Sequence, residues 1–343
     1  MNNRTILSLI IFLLLLSAQL LHAADEYQLV LNADFVTDAL PQNWNIEVNG
    51  DGGGNNELQY YCEQAVSLGV DPKEGKHCLI LTATKQDYMN RNCTSGRVNT
   101  LDHTYFQYGK IEARIWFPKT ANGLWPAFWM MGNDFNQSGW PACGETDIIE
   151  LGNSGGFNGT QERFFSGASH WGLNVQSHCQ YYQNYTCDYS VEDGFHIFTC
   201  VWTPEKVAMY VDKDAHPSDP PYYEMTIPVS DNVYEPGRYF HKPEFILLNL
   251  AVGGDFPGIY SINQVTALAN GSQSMYIDWV RIYQRGDEGE SFHSDVATEA
   301  IEAEHDAIED IYAEATPTKL LIDGQLFLRK ANELYDVQGR VVH

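Results

Sequence analysis

The stretch GETDIIEL, residues 144–151, places three carboxylates in an apolar segment that is predicted to be a β-strand. Side chains in a regular strand alternate between its two faces, so Glu145 and Asp147 would share one face and Glu150 would point to the other. A β-bulge at the Ile148-Ile149 pair would add one residue to the strand and return Glu150 to the face of the other two carboxylates. We therefore predict a bulge here, within a strongly curved sheet.

The rest of residues 27–284 also has the pattern of an all-β protein. Short runs that alternate in polarity, or that are rich in β-branched and aromatic residues, are separated by Gly, Pro, Asn and Asp. The runs are HCLILTATK, YGKIEARIWF, FHIFTCVWT, KVAMYVDK, EFILLNLAV and MYIDWVRIYQ. No long helical periodicity interrupts them. The pattern predicts two antiparallel sheets packed face to face.

The charge of the chain limits its partners. Among 343 residues, 45 are acidic and 20 are basic, which gives a formal net charge of −25. This charge disfavours nucleic acids and anionic membranes, and it favours neutral or cationic ligands. Aromatic residues make up 13% of the chain. Each of them can stack on a sugar ring or fill the core of the sandwich.

Both ends differ in composition from the middle of the chain. Residues 1–24, with Arg4 before the apolar run ILSLIIFLLLLSAQLL, are predicted to be a secretory signal peptide. A membrane anchor is the alternative, but the run is short for a bilayer span, so no stable span is expected in the mature protein. Residues 287–316 are predicted to be a solvated linker, with 11 acids and no Lys or Arg between residues 287 and 314. Residues 317–343 return to alternating apolar positions and are predicted to form a small β tail.

The chain has seven cysteines, which could serve as disulfide partners or as metal ligands. An exported protein can form disulfides, and the most plausible local pair is Cys179 with Cys187 in a polar, Tyr-rich segment. The odd number leaves at least one thiol without a partner in the chain. No CxxC motif or Cys/His spacing indicates a zinc site.

Three carboxylates inside an apolar segment need a physical reason. Buried carboxylates are costly unless they have partners or are protonated, and their mutual repulsion raises the pKa of at least one of them. One protonated and one ionised carboxyl group are what glycoside hydrolysis requires. A calcium site and a structural hydrogen-bond cluster are the alternatives that the cluster alone leaves open.

The motif WPACGETDIIE resembles the catalytic signature of glycoside hydrolase family 16 in its bulged form. Further motifs stand in the order found in this family: NNELQYY (55–61), SGRV (95–98), YGKIEARIWFP (108–118), GLWPAFWMMG (123–132), LLNLAVGGDFPG (247–258) and YIDWVRIYQ (276–284). The chain is most similar to the laminarinase-type branch, which is endo-acting on β-1,3-glucans or mixed β-1,3/1,4-glucans. The resemblance implies that residues 25–286 form a jelly-roll sandwich with a substrate cleft across its concave face.

The resemblance also implies roles for individual residues. In the retaining double displacement of this family, Glu145 would be the nucleophile and Glu150 the general acid and then base, while Asp147 would tune the nucleophile. No cofactor is implied for catalysis. Residues that match sugar-binding positions are Asn56, Glu57, Arg97, Trp125, Trp129, Trp140, His170 and Trp171. For each of these, a place in the core or in an internal polar network is the alternative.

Two further features follow from resemblance. Many members of the family bind a structural calcium ion, for which Asp278 would supply the carboxylate and Gly75 a carbonyl group. The usual Asp-Glu-Phe near the start of that site is Ala33-Asp34-Phe35 here, which departs from the pattern. Residues 317–343 resemble the sorting tails of Bacteroidales proteins exported by type IX secretion, which implies a contact with that machinery. A small stabilising hairpin is the alternative.

Together these features predict a secreted or cell-surface endo-β-glucanase whose partner is a β-glucan polysaccharide. A non-catalytic β-glucan-binding protein on the same fold is one rival, but such proteins lack the paired glutamates. A hydrolase of agarose or carrageenan is another; sulfated polymers favour a basic cleft, whereas this chain is acidic. Transglycosylation is the third rival, because fold alone does not exclude it.

Overall fold

The computed structural model divides the chain into two compact units, residues 1–296 and residues 297–343. The structure describes residues 27–296, 318–322, 325–330, 333–335 and 341–342. The predicted signal peptide and residues 297–316 of the predicted linker lie outside the described residues. Within the described residues, no helix combines the length and the hydropathy needed to cross a bilayer.

The regular secondary structure of the first unit is almost wholly β-strand. They are β1 (Gln28–Ala33), β2 (Asn45–Ile46), β3 (Tyr60–Tyr61), β4 (Val66–Val70), β5 (His77–Tyr88), β6 (Arg91–Ser95), β7 (Arg97–Asn99), β8 (Thr104–Gln107), β9 (Gly109–Trp116), β10 (Leu124–Gly132), β11 (Glu145–Leu151), β12 (Phe164–Trp171), β13 (Cys179–Thr186), β14 (His196–Trp202), β15 (Lys206–Val211), β16 (Tyr223–Thr226), β17 (Glu244–Val252), β18 (Ser272–Gln284) and β19 (Ser291–Ser294). One α-helical turn, α1 (Phe135–Ser138), precedes β11. Single-turn 3₁₀ helices lie at Glu63–Ala65, Ser154–Gly156, Gln161–Arg163, Val175–Ser177, Pro236–Arg238, Ile262–Gln264 and Thr266–Leu268.

The strands form two sheets. One has the order β16-β15-β14-β9-β18-β5-β6-β3, with β1 beside β18 and β4 beside β5. The other has the order β13-β12-β11-β10-β17-β7-β2, with β8 beside β17 and β19 beside β8. All described pairs in these sheets are antiparallel except β3 with β6. The predicted sandwich of two antiparallel sheets is confirmed.

One large apolar core lies between the two sheets. It takes fully buried side chains from both, such as Ile111 and Ile277 from one sheet and Phe128 and Leu248 from the other. Strand β17 is buried along all nine of its residues, because it is a central strand covered on both faces. The inner face of the second sheet packs on this core. Its outer face is therefore available for polar side chains.

The bulge predicted in β11 is present. Asp147 pairs with Ala168 of β12, and the next paired residue, Glu150, lies opposite Ser166. Three steps along β11 therefore match two steps along β12, which is one extra residue. The register between β10 and β11 shifts at the same place, between the partners of Phe128 and Trp129.

The described structure corrects two predictions about the first unit. Cys179 and Cys187 do not form a disulfide, since Cys179 begins an extended strand that ends at Thr186. Extended chain of this length separates its ends by about 25 Å, far beyond the reach of a disulfide. The solvated linker also begins later than residue 287, because Ser291–Ser294 forms β19 and pairs with β8.

The second unit contains four short strands, described here by themselves. They are β20 (Thr318–Ile322), β21 (Gln325–Lys330), β22 (Glu333–Tyr335) and β23 (Val341–Val342), each antiparallel to its neighbour in the order of the chain. The predicted small β tail is confirmed as an element of secondary structure.

Glu244 is a buried acid on the core face of the second sheet, and no motif in the sequence indicates it. It begins β17, is 1% exposed, and accepts a hydrogen bond from the Thr146 hydroxyl at 3.3 Å. Its Oε2 atom has no hydrogen-bond partner among the described residues. Burial raises the pKa of Glu244 to about 8. A carboxyl group that must stay protonated to remain buried makes stability depend on pH.

We predict that Glu244→Gln stabilises the fold increasingly as pH rises above about 4.5. The pKa of Glu244 is raised on folding, so its contribution is present at low pH and is lost as pH rises from about 4.5 to about 8. At pH 8 the variant should exceed the wild type in free energy of unfolding by about 4 kcal/mol, which is the value of a pKa shift from about 4.5 to about 8. At pH 4.5 the difference should vanish in denaturant titrations. A difference that stays constant over this range would contradict the prediction, and the exposed Glu63→Gln serves as the control.

Candidate active site

The bulge places all three carboxylates of β11 on one face of the second sheet. The partners of these carboxylates lie in β12: Glu145 pairs with His170, Asp147 with Ala168 and Glu150 with Ser166. Directly opposed residues of an antiparallel pair point to the same face, and alternate residues along β12 share that face. Glu150 therefore points to the same face as Glu145 and Asp147, which a regular strand would not allow. This agrees with the prediction from the sequence.

The bulge is supported from the opposite sheet. The Tyr222 hydroxyl donates a hydrogen bond to the carbonyl oxygen of Ile148. A bulge leaves a backbone group outside the regular ladder, and a buried carbonyl group without a partner would be costly. Ile148 and Ile149 are both fully buried in the core. The carbonyl group freed by the bulge thus has a hydrogen-bond partner, and the side chains of the bulge are packed in the core.

Burial and mutual repulsion keep protons on the carboxylate cluster. Burial first, and Asp147 second, raise the pKa of Glu145 to about 8. The same two causes raise the pKa of Glu150 to about 8. Burial also raises the pKa of Asp147, and the carboxyl group of Glu244 beneath it adds to this effect. At neutral pH the cluster shares protons among its members, which supplies both a proton donor and an ionisable carboxyl group.

Two indole groups hold the two glutamates. Trp125 Nε1 donates to Glu150 at 2.9 Å, and Trp140 Nε1 donates to Glu145 at 3.0 Å. The Trp125 ring stacks on Phe256, with centroids 4.8 Å apart and planes at 13°. The sequence predicted both tryptophans at the site but as sugar-stacking rings. The structure shows each of them as a neutral hydrogen-bond donor to a carboxyl group, and the stacking role stays a prediction.

His170 lies against the acidic cluster as predicted. Its Nε2 atom is 3.3 Å from Asp147, outside hydrogen-bond geometry, and 3.9 Å from Glu145. Its Nδ1 atom is 2.9 Å from Nε2 of His178, a residue that the sequence analysis missed. Burial lowers the pKa of His178, and His170 lowers it further. One nitrogen of this pair must donate to the other, so each ring fixes the tautomer of its neighbour.

The same groups form the set of candidate metal ligands in the part of the chain that the structure describes. Ligand atoms of Glu145, Asp147 and His170 lie within 4.8 Å of one another. This donor set shares Glu145 and Asp147 with the carboxylate cluster and adds His170.

Trp129 and Arg97 lie on the carboxylate face, on the other side of β11 from His170. Trp129 of β10 pairs with Asp147, and its Nε1 atom donates to Asn249 at 2.7 Å. The guanidinium carbon of Arg97 is 4.8 Å from the centroid of the Trp129 ring. Arg97 is also paired with Glu47 at 2.9 Å, which compensates its charge.

Asn56 and Glu57 differ in their surroundings. Asn56 is exposed and donates to Asp255 at 3.0 Å, at the edge of an open cavity of about 680 Å³ that Tyr260 also lines. Glu57 is 4% exposed, and its carboxylate accepts hydrogen bonds from Gln59 and Tyr61. Glu57 therefore belongs to an internal polar network, which was the alternative to a sugar contact.

The prediction that Trp171 lies in the cleft is wrong. It is 6% exposed, its Nε1 atom donates to the carbonyl oxygen of Tyr234, and its ring packs on Phe240. Trp171 follows His170 directly in β12, so it points to the opposite face of the strand.

The residues expected to bind calcium do not fit such a site. Asp278 lies in β18, and its carboxylate is held by Arg114 Nη1 at 2.6 Å. Arg114 also binds Glu74, next to Gly75, at 2.8 Å. A guanidinium group already neutralises the carboxylate that a calcium ion would need.

Comparisons with known proteins agree with this fold. Residues 55–219 match the model of the glycosyl hydrolases family 16. A glucan endo-1,3-beta-glucosidase of Cryptopygus antarcticus is 32% identical over 64% of this chain and 78% of its own length. A beta-glucanase of Rhodothermus marinus is 29% identical over 83% of this chain and 95% of its own length.

A solved structure is similar as well. It is a mixed linkage glucan GH16 protein of Bacteroides ovatus in complex with a G4G4G3G product, and it is 38% identical to this chain. The match has a TM-score of 0.65 and covers 74% of this chain and 99% of that structure. Hydrolysis in this family needs no cofactor. The chain therefore belongs to the glycosyl hydrolases family 16 and is a glycoside hydrolase.

Proposed function

We propose that the chain is an endo-acting hydrolase of β-1,3-glucan or mixed β-1,3/1,4-glucan. The observation that carries the proposal is the bulge in β11, which brings Glu145 and Glu150 to one face with raised pKa values. The names of the similar proteins, which include glucan endo-1,3-beta-glucosidase and beta-glucanase, support the substrate class. Trp125, Trp129 and Trp140 on the same face suit the apolar faces of neutral glucosyl rings.

In the proposed reaction, a carboxylate oxygen of Glu145 attacks the anomeric carbon while Glu150 protonates the departing glycosidic oxygen. Glu150 then deprotonates water, which displaces Glu145 from the covalent intermediate and leaves the product with retained configuration. The nucleophile role suits Glu145, because His170 Nε2 lies 3.9 Å from its carboxylate. Within the described part of the chain, no His, Lys or Arg nitrogen lies within 4.0 Å of the Glu150 carboxylate, which supports the proton-donor role for Glu150.

We predict that Glu145→Ser and Glu150→Ser each lower kcat on laminarin by about 10³-fold or more. With an aryl β-glucoside and azide, the Glu150 variant should form a β-glycosyl azide and the Glu145 variant an α-glycosyl azide. These opposite products would separate the two roles by NMR. The exposed Glu63→Ser is the control. Near-wild-type turnover in either variant, or the reverse assignment of products, would contradict the assigned roles.

We further predict that the two indole donors act on opposite limbs of the pH profile. Trp125→Phe keeps a ring but removes the N–H group that stabilises the Glu150 anion, so the pKa of Glu150 should rise. The alkaline limb of kcat/KM should then move up by about one unit. Trp140→Phe should instead move the acidic limb upward, because its partner is Glu145. If both variants only raise KM, the indoles act as stacking surfaces alone.

The turnover of laminarin, lichenan, curdlan and agarose by the purified protein measures its substrate preference. Turnover of agarose without turnover of any β-glucan would replace the proposed substrate. No structural calcium is included in the proposal, because Arg114 holds the carboxylate of Asp278.

Export of the protein is also part of the proposal. The composition of residues 1–24 supports a signal peptide, and residues 317–343 resemble a type IX sorting tail. The second unit contains its own four-stranded sheet. The proposed place of action is outside the cell or at its surface.

Deletion of residues 317–343 should leave hydrolysis by the purified protein within about twofold of the full chain, since the described site lies wholly in the first unit. The same deletion should retain the protein inside the producing cell. Activity measured in cell and medium fractions checks both statements. Loss of activity with normal export would reverse the assignment of the tail and favour a stabilising hairpin.

A further inference from the structure

Strand β13 extends the carboxylate face by one more strand. It lies at the edge of the second sheet, beside β12 and two strands from β11. Its residues Gln180, Tyr182 and Asn184 pair with His170, Ala168 and Ser166, which in turn pair with Glu145, Asp147 and Glu150. Paired residues share a face, so these three side chains stand on the same surface as the catalytic cluster.

The two faces of β13 are used differently. The residues between those three contact the body of the protein: Tyr181 lies 5.5 Å from Tyr223 between ring centroids, and Gln183 accepts a hydrogen bond from the backbone N–H of Glu224. Tyr185 packs on Phe165 at 5.5 Å. This face of the strand is fixed by packing.

The face of β13 toward the carboxylates has no such contacts. Gln180, Tyr182 and Asn184 are exposed, and Tyr182 is 56% exposed. Among the described residues, their side chains have no hydrogen bond, ion pair or ring contact. The aromatic ring of Tyr182 can stack on an apolar surface, and the two flanking amides can form hydrogen bonds with hydroxyl groups. Together they suit a ligand that carries both kinds of group.

The position of this surface identifies the kind of ligand. Two strand spacings separate β11 from β13, about 10 Å, which a disaccharide spans. On the intervening strand β12, the side chains of Ala168 and Ser166 are small. They therefore do not obstruct the surface between the carboxylate cluster and Tyr182. The three residues carry no charge, so they suit a neutral sugar. They lie on the opposite side of the cluster from Arg97 and Trp129.

We infer that Gln180, Tyr182 and Asn184 form a glucosyl-binding subsite on the edge strand, with Tyr182 as the stacking platform and the two amides as partners of sugar hydroxyls. This inference rests on the proposed β-glucan hydrolysis. It makes the active face a groove that runs across the sheet from β7 to β13, with sugar contacts on both sides of the cleaved bond.

Tyr182→Ala tests the subsite, with Tyr181→Ala as the matched control. The two residues are neighbours of the same type on opposite faces of β13. We expect Tyr182→Ala to lower kcat/KM on long β-1,3- and mixed-linkage oligosaccharides by roughly five- to tenfold, mainly through KM. The shortest oligosaccharide that is still cleaved should not reach the edge strand and should be unaffected. Tyr181→Ala should affect all lengths equally.

Gln180→Ala and Asn184→Ala should produce the same dependence on length, at about two- to fivefold. Thermal unfolding of each variant separates loss of fold from loss of binding. Equal kcat/KM of wild type and Tyr182→Ala at every length would overturn the subsite while leaving β-glucan hydrolysis intact, as would a loss that does not depend on length. Wild-type protein without turnover of any β-glucan would overturn the proposed function and this inference with it.

Discussion

The active face depends on one extra residue in β11. Without the bulge at Ile148-Ile149, Glu150 would point into the apolar core and the cluster would contain only Glu145 and Asp147. A bulge normally weakens a strand pair, but here both isoleucines fill the core and Tyr222 satisfies the freed carbonyl group. Tyr222 lies directly before β16 of the other sheet. Packing between the two sheets therefore maintains the geometry of the catalytic strand.

The electrostatics of the site follow from that geometry. Three carboxyl groups on one strand, each largely withdrawn from water, cannot all be ionised at neutral pH. The donors that hold Glu145 and Glu150 are the neutral N–H groups of Trp140 and Trp125. An indole donor orients a carboxyl group without fixing its charge as strongly as an arginine would, so the group can still exchange a proton. Among the described residues, His170 is the one basic side chain within 4.0 Å of the Asp147 carboxylate, and the carboxyl group of Glu244 opposes the ionisation of Asp147.

Much of this arrangement could be predicted from the sequence, because strands have a period of two residues. Parity alone required a bulge at Ile148-Ile149, and the same rule should have removed Trp171, the residue after His170, from the cleft. The indole-to-carboxyl hydrogen bonds could not be predicted, since they depend on side-chain directions between β10, β11 and the turn before β11. The error at Cys179 and Cys187 has a similar origin: an eight-residue spacing joins neighbours in a turn but separates them in a strand.

His178 and Glu244 mark the limit of reasoning from motifs. Each acquires its partner through tertiary structure, His178 by the return of the chain into β13 and Glu244 through the neighbouring strands of the sheet. Once the register is known, however, neighbouring strands can be treated as one continuous pattern. Rows of paired residues lead from Arg97 through Asn249, Ala127, Glu150 and Ser166 to Asn184. Such a row crosses the sheet in the direction that an extended polysaccharide would follow. Its net charge is small at neutral pH because Glu47 compensates Arg97 and Glu150 retains a proton. A protein with a formal charge of −25 thus presents a nearly neutral surface where a neutral polymer would bind.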